Sequence, residues 1–143
     1  LNHDIATTEF NNALLKKLRS SRPIIANKLW SLVLSTVSTL FTQMRGETSI
    51  VAKGKDGFTV NGKPVESLSG STLDILGASI RIALMKTFIP HATFMVLDEP
   101  AAAMDEERTA MLLATLSSVG VSQIIMSTHE TISEALSTNV FQL

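Results

Sequence analysis

The sequence predicts an α/β fold with parallel core strands and flanking helices, preceded by a long helical segment and a β ribbon. Three observations carry this expectation. Phe94-Met95-Val96-Leu97 is a short unbroken apolar run that ends in Asp98-Glu99-Pro100. A second run, Gln123-Ile124-Ile125-Met126, ends in Ser127-Thr128-His129, and a helix-like stretch separates the two. Such a pair reads as a β-α-β unit, parallel and right-handed. Ahead of them the apolar period is three to four residues over 1–45 and two over 49–67.

The chain has 143 residues, enough for one domain's core, and its hydrophobic content of 45% argues against disorder. There is no cysteine, which excludes both a disulfide framework and a thiolate metal site and suits a reducing, intracellular setting. No apolar run is read as long enough to span a membrane, no signal peptide is read, and a membrane is not among the expected partners. The first residue is Leu1 rather than Met, as in a fragment of a longer protein. The net charge of −1 hides an asymmetry: through His91 there are 11 Lys+Arg against 6 Asp+Glu (+5), and from Ala92 onward 1 against 7 (−6). The acidic half suits recruitment of a metal ion, whereas the basic half reads as a solvated face or as a surface for nucleic acid.

Residues 1 to about 20 are expected to be helical, with Ile5, Leu14, Leu15 and Leu18 as a sparse stripe. Ser20-Ser21-Arg22-Pro23 offers a break, with proline at a first helical position. This places a domain boundary between a helical arm, 1–22, and the lobe, 23–143. A second helix is expected to Arg45, with Ile25, Leu29, Leu32, Val33, Val37, Leu40, Phe41 and Met44 on one face and Gly46 as its stop. Then Ile50-Val51-Ala52 and Phe58-Thr59-Val60 read as strands, and Asn61-Gly62 as a hairpin turn.

Gly57 to Pro64 spells Gly-x-x-x-x-Gly-Lys-Pro, close to a phosphate-binding loop. It is rejected as one. Pro64 has neither the hydroxyl that binds magnesium nor an N–H for a phosphate nest, and Phe58-Thr59-Val60 is a strand. Leu68-Ser69-Gly70-Ser71-Thr72 opens a helix running to Phe88, with Leu73, Leu76, Ile80 and Leu84 as its stripe and Gly77 for close approach. Small residues there fit either an ordinary serine cap or bare amides aimed at an anion. Asp105 is placed to cap the next helix, Glu106 to Val119, which Gly120 closes. A short helix (Thr131 to Leu136) and a terminal strand (Val140 to Leu143) are expected to finish the chain.

The run ending at Asp98-Glu99 is expected to be buried on both faces and to deliver its acids at the carboxyl end of the sheet, where such folds hold ligands. On a strand their side chains would point in opposite directions, one toward a metal and the other toward a water. His129 leaves the same edge.

In that order and spacing the chain resembles the C-terminal lobe of an ABC-type ATPase, a member of the P-loop NTPases. Leu68-Ser69-Gly70-Ser71-Thr72 looks like the signature motif, Phe94 to Glu99 like Walker B, Pro100 to Asp105 like the D-loop, and His129 like the switch histidine. Met104-Asp105-Glu106-Glu107-Arg108 and Gln123 to Glu130 are similar to the SMC-like branch, specifically the nuclease-associated DNA double-strand-break repair ATPases. The signature departs from the family at Ser71, usually Gly, and at Thr72, usually Gln or Glu.

The resemblance implies ATP and Mg²⁺ as cofactors. Asp98 would hold magnesium, Glu99 would orient or deprotonate the attacking water, and His129 would contact the γ-phosphate. Ser69, Gly70 and Ser71 would clasp the γ-phosphate bound to an opposite head, and Asp105 would help connect the two sites. The implied partners are an N-terminal P-loop lobe (fused or separate), a second copy of the head, a nuclease subunit and DNA. With no credible P-loop in these residues, catalysis by them alone is expected to be incomplete. A transport-type ABC ATPase, or a non-catalytic dimerisation or DNA-binding module, would be the alternatives.

Overall fold

One helix, α1, runs from Asn2 to Arg45 without a break at Pro23 in the computed structural model, which describes residues 2–128. The break expected at Ser20-Ser21-Arg22-Pro23 is therefore corrected. A proline inside a helix forfeits one backbone hydrogen bond and crowds the carbonyl four residues earlier, at a cost of ~3 kcal/mol. Here the serines read as stop signals serve the helix instead, since both Ser20 Oγ and Ser21 Oγ donate to the Lys17 carbonyl at 2.9 Å. By its contacts the chain divides between Leu32 and Val33, not at Pro23.

In the first unit Leu14, Leu15, Leu18, Ile24, Ile25, Leu29 and Leu32 are all exposed. Leu15, Leu18, Ile25, Leu29 and Leu32, with Arg22 among them, follow the alternating three- and four-residue spacing of a coiled-coil seam. The reading that no segment is long and apolar enough for a membrane is also corrected. Thr7–Arg45 contains an 18-residue window of mean hydropathy 1.4, 22% of it buried, which passes by length and composition. The reason is that no charged residue occurs between Lys28 and Arg45, the intervening polar residues being mostly Ser and Thr.

The second unit starts with the last turns of α1, whose Val33, Val37, Leu40, Phe41 and Met44 are buried in its core. Gly46 ends the helix as expected, at φ +73°, with its N–H returning to the Thr42 carbonyl at 2.9 Å. A three-stranded antiparallel ribbon follows: β1 (Val51–Lys53), β2 (Phe58–Val60) and β3 (Lys63–Pro64). Asn61 and Gly62 both take positive φ, 51° and 79°, as a type I′ turn demands. Lys63 and Pro64 lie in a strand, followed only by a 3₁₀ turn at Val65–Ser67, so the near-P-loop is a hairpin. Ser38 and Thr42 of α1 hold the outer edge of β1. Ser38 Oγ accepts from Val51 N–H at 2.9 Å and Thr42 Oγ1 from Ser49 N–H at 3.0 Å.

Helix α2 (Gly70–Phe88) buries Thr72, Ile75, Leu76, Ala78, Ser79, Ile82 and Ala83. The expected stripe of Leu73, Leu76, Ile80 and Leu84 is rotated away from this face: Leu73 is 41% exposed. The true face is built partly of small residues, and Ser79 is tolerated at full burial because its Oγ donates to the Ile75 carbonyl at 2.8 Å. Among the described residues no neighbour comes within 4 Å of a Cβ built on Gly77, so the close approach expected there is absent.

Strands β4 (Phe94–Asp98) and β5 (Gln123–Ser127) pair in parallel, with Asp98 opposite Ser127, and α3 (Glu106–Ser118) connects them. The β-α-β unit is as expected, but β4 is not buried on both faces. Met95 and Leu97 are buried, whereas Phe94 and Val96 are about 60% exposed. Ile125 of β5, opposite Val96, is exposed on the same sheet. The helix and strand expected at Thr131–Leu136 and Val140–Leu143 lie outside the described residues.

Candidate functional site

The chemistry-bearing residues gather at the amino end of α2, at the carboxyl end of β4 and in the loop that leaves β4. Ser69 is the N-cap residue of α2 by backbone conformation, at φ −69° and ψ 159°, but its side chain caps nothing. Ser69 Oγ instead lies 2.8 Å from Thr72 Oγ1 and 3.4 Å from Ser71 Oγ. The ordinary serine cap is thus ruled out, and no acidic side chain occupies the first turn. The amides there keep their partial positive charge. Gly70 lies beside the loop that leaves β4: a Cβ built on it would stand in ordinary contact, 3.5 Å from Ala103 Cβ.

At the other end of the site, Asp98 is the last residue of β4 and is exposed. Ser127 Oγ donates to Asp98 Oδ1, so the neighbouring strand orients this carboxylate. Glu99 is not on the strand. Its φ is +46°, in the left-handed region, which corrects the expectation that strand alternation would separate the two acids. Pro100 supplies part of the reason, since the residue before a proline is disfavoured from right-handed helix. The left-handed conformation costs about 1–2 kcal/mol for a residue with a Cβ. The backbone holds it there: Glu99 N–H reaches the Ser127 carbonyl at 3.2 Å and Ser127 Oγ at 3.3 Å. Such a turn at a strand end aims a side chain where alternation would not.

The loop then carries Asp105, which caps α3 by accepting from Arg108 N–H at 2.9 Å, with Glu106 and Glu107 in the first turn. This cap was legible from sequence and is worth ~1 kcal/mol. Sequence reasoning missed two ties between the loop and α2. Asp74 Oδ2 accepts from Ala103 N–H at 3.0 Å, and Arg108 Nη1 donates to Ser71 Oγ. The only signal available was the position of Asp74, one helical turn after Gly70. His129 lies outside the described residues.

Magnesium keeps several waters and takes one or two carboxylates beside its phosphate ligands. An exposed, oriented Asp98 fits that demand. Among the described residues no three His, Asp or Glu gather as a metal cage.

No family model matches the sequence. Curated relatives do. The chain is 31% identical over 134 residues to the DNA double-strand break repair Rad50 ATPase of Sulfurisphaera tokodaii, covering 81% of this chain and 15% of that protein. It is 35% identical over 69 residues to the Rad50 ATPase of Saccharolobus solfataricus, covering 47% of this chain and 8% of that protein. The chain therefore spans only a small part of the relatives it matches. Among solved structures, an SMC ATPase described for ATP-driven dimerisation and DNA-stimulated activation superposes with a TM-score of 0.67 at 17% identity, over 81% of this chain and 78% of that one. An SMC head bound to the C-winged helix domain of ScpA gives 0.64 at 15% identity, over 82% and 40%. The SMC head domain of Thermotoga maritima gives 0.53 at 18%, over 76% and 41%. Fold, motif order and relatives agree: the chain has the fold of the C-terminal lobe of an SMC-like ABC ATPase head and is similar in sequence to the DNA double-strand break repair Rad50 ATPases.

Proposed function

We propose that this lobe works as half of an ATP-dependent head that dimerises around nucleotide, hydrolyses it, and thereby controls a partner nuclease on DNA inside the cell. The observation that carries the reading is the first turn of α2, which has no side-chain cap and is tied to the loop following an oriented acid pair.

In this reading Ser69, Gly70 and Ser71 offer N–H groups and the helix dipole to a γ-phosphate held on the opposite head. That arrangement stabilises charge by preorganised donors. Asp98, steadied by Ser127, would hold magnesium, which when bound offsets phosphate charge. Glu99 orients the attacking water or accepts its proton, the positioning work that phosphoryl transfer requires. His129 contacts the γ-phosphate and registers its loss. Asp105 links the two composite sites across the dimer. A P-loop lobe, fused or separate, supplies the cradle for the β- and γ-phosphates. Residues 1–22, and by their exposed seam the helix on to Leu32, form the base of a coiled-coil arm.

The test is the Glu99→Gln variant of the protein with its P-loop lobe present, examined by analytical ultracentrifugation with and without ATP. Nucleotide binding is expected to persist, and the dimer should accumulate because the water is no longer activated. Loss of ATP binding, or a monomer at saturating ATP, would overturn the reading.

A further inference from the structure

The signature departs from its family at Ser71 and Thr72, and the structure shows what those residues do together. Thr72 is 6% exposed, and its hydroxyl meets Ser69 Oγ at 2.8 Å. Ser69 Oγ lies 3.4 Å from Ser71 Oγ, and Ser71 Oγ accepts from Arg108 Nη1. Arg108 Nε stands 3.9 Å from Asp105 Oδ2, and Arg108 N–H is the group that Asp105 caps. One line of polar contacts thus runs from the buried side of α2, through the signature serines, to the first turn of α3. A glycine at position 71 would have no hydroxyl to receive Arg108. The two departures and Arg108 form one device.

We propose that Arg108 is a positioning residue for ATP-driven dimerisation. By holding Ser71 Oγ, it fixes the amides that open α2 and the Asp105 carboxylate in one arrangement, ready for a triphosphate presented by a second copy of the head. The proposal rests on the ATPase-head reading. A guanidinium suits the task because its donors are set in a rigid fork and it stays charged. Hydrogen bonds with a charged donor are also roughly twice as strong as neutral ones. The Asp74 contact to Ala103 N–H is a second tie between the same segments, so neither can shift without the other. Arg108 acts through Ser71, and its effect belongs to assembly rather than to loading of nucleotide on the monomer.

The test is a double-mutant cycle on the full-length protein, reading the ATP-dependent dimer dissociation constant and the nucleotide affinity of the monomer. Arg108→Ala retains the backbone N–H that caps α3, and Ser71→Gly restores the usual signature residue. Each is expected to weaken dimerisation about tenfold, the loss typical of one charge-assisted hydrogen bond. The double variant should be no weaker than either single one, because both remove the same contact. Arg108→Lys should recover part of the loss, and nucleotide affinity of the monomer should not change. Losses that multiply to roughly a hundredfold in the double variant would overturn the proposal. So would single variants that dimerise like the parent, or an equal fall in monomer nucleotide affinity. If the parent itself fails to dimerise on ATP, the head reading falls and the proposal with it. If the parent dimerises and the variants match it, only the proposal falls. Should Arg108→Ala not fold, Ser71→Gly and Arg108→Lys decide the outcome alone.

Discussion

The two ends of the site are held by different means. The start of α2 has ordinary backbone geometry and is fixed by side chains: Ser69, Ser71, Thr72, Asp74 and Arg108. The end of β4 is held mainly by its backbone, with Glu99 in the left-handed region and its N–H on the Ser127 carbonyl, and by one side chain, Ser127, whose Oγ meets both Asp98 Oδ1 and Glu99 N–H. A site whose amides must meet a ligand from another subunit gains from adjustable side-chain ties. A carboxylate that must meet a water at fixed angle gains from a rigid turn. The difference implies that substitutions at the first end should weaken assembly, whereas those at the second should change turnover and local strain and affect assembly only by trapping the ATP-bound dimer.

The largest effect that sharpens this contrast is at Glu99. With the P-loop lobe present, Glu99→Gln should cut ATP turnover by about 10²–10⁴, the range for loss of a positioned general base, while leaving thermal stability at the parent value. Steady-state phosphate release and calorimetry on the same preparation check both. Next is Ser127→Ala, which frees the Asp98 carboxylate and removes one hydroxyl contact of Glu99 N–H. A turnover loss of about tenfold is expected, close to one hydrogen bond to a charged group, with a higher magnesium requirement. An unchanged magnesium titration would mean that Ser127 does not orient Asp98. Asp74→Ala should cost roughly 1 kcal/mol in denaturant unfolding by leaving Ala103 N–H unpaired, and Asp74→Asn, which keeps an acceptor oxygen, should cost less. The smallest effect on stability is expected from Glu99→Gly. It should stabilise by roughly 0.5–1 kcal/mol because glycine takes positive φ without penalty, although turnover is lost. A destabilised Glu99→Gly would show that the turn is not strained and would erase the contrast.

Much of this arrangement was legible because it is written locally. Asn61-Gly62 demands its turn, Asp105 with Glu106 and Glu107 announces a helix start, and two apolar runs around a helix imply a parallel pair. What was not legible depended on partners far along the chain. The buried face of α2 is chosen by what packs on it, so small Ala78, Ser79 and Ala83 displaced the larger residues that periodicity favoured. Pro23 was read as a break because its local cost is plain, while the serine back-bonds to Lys17 were not. The exposed Phe94, Val96 and Ile125 show a sheet face that the described residues leave uncovered, where continuous apolar sequence had suggested burial on both sides. The positive φ of Glu99 arises from Ser127 and Pro100 acting together, and only Pro100 is its neighbour in sequence.

The stitching of β1 to α1 has a consequence of its own. Val51 offers its N–H to Ser38 Oγ at 2.9 Å, whose own proton goes to the Leu34 carbonyl at 2.8 Å, while Ser49 offers its N–H to Thr42 Oγ1 at 3.0 Å and its carbonyl lies 3.3 Å from that hydroxyl. The start of the β1 edge is thereby spent on its own helix, which leaves fewer open N–H groups there for an added strand to pair with.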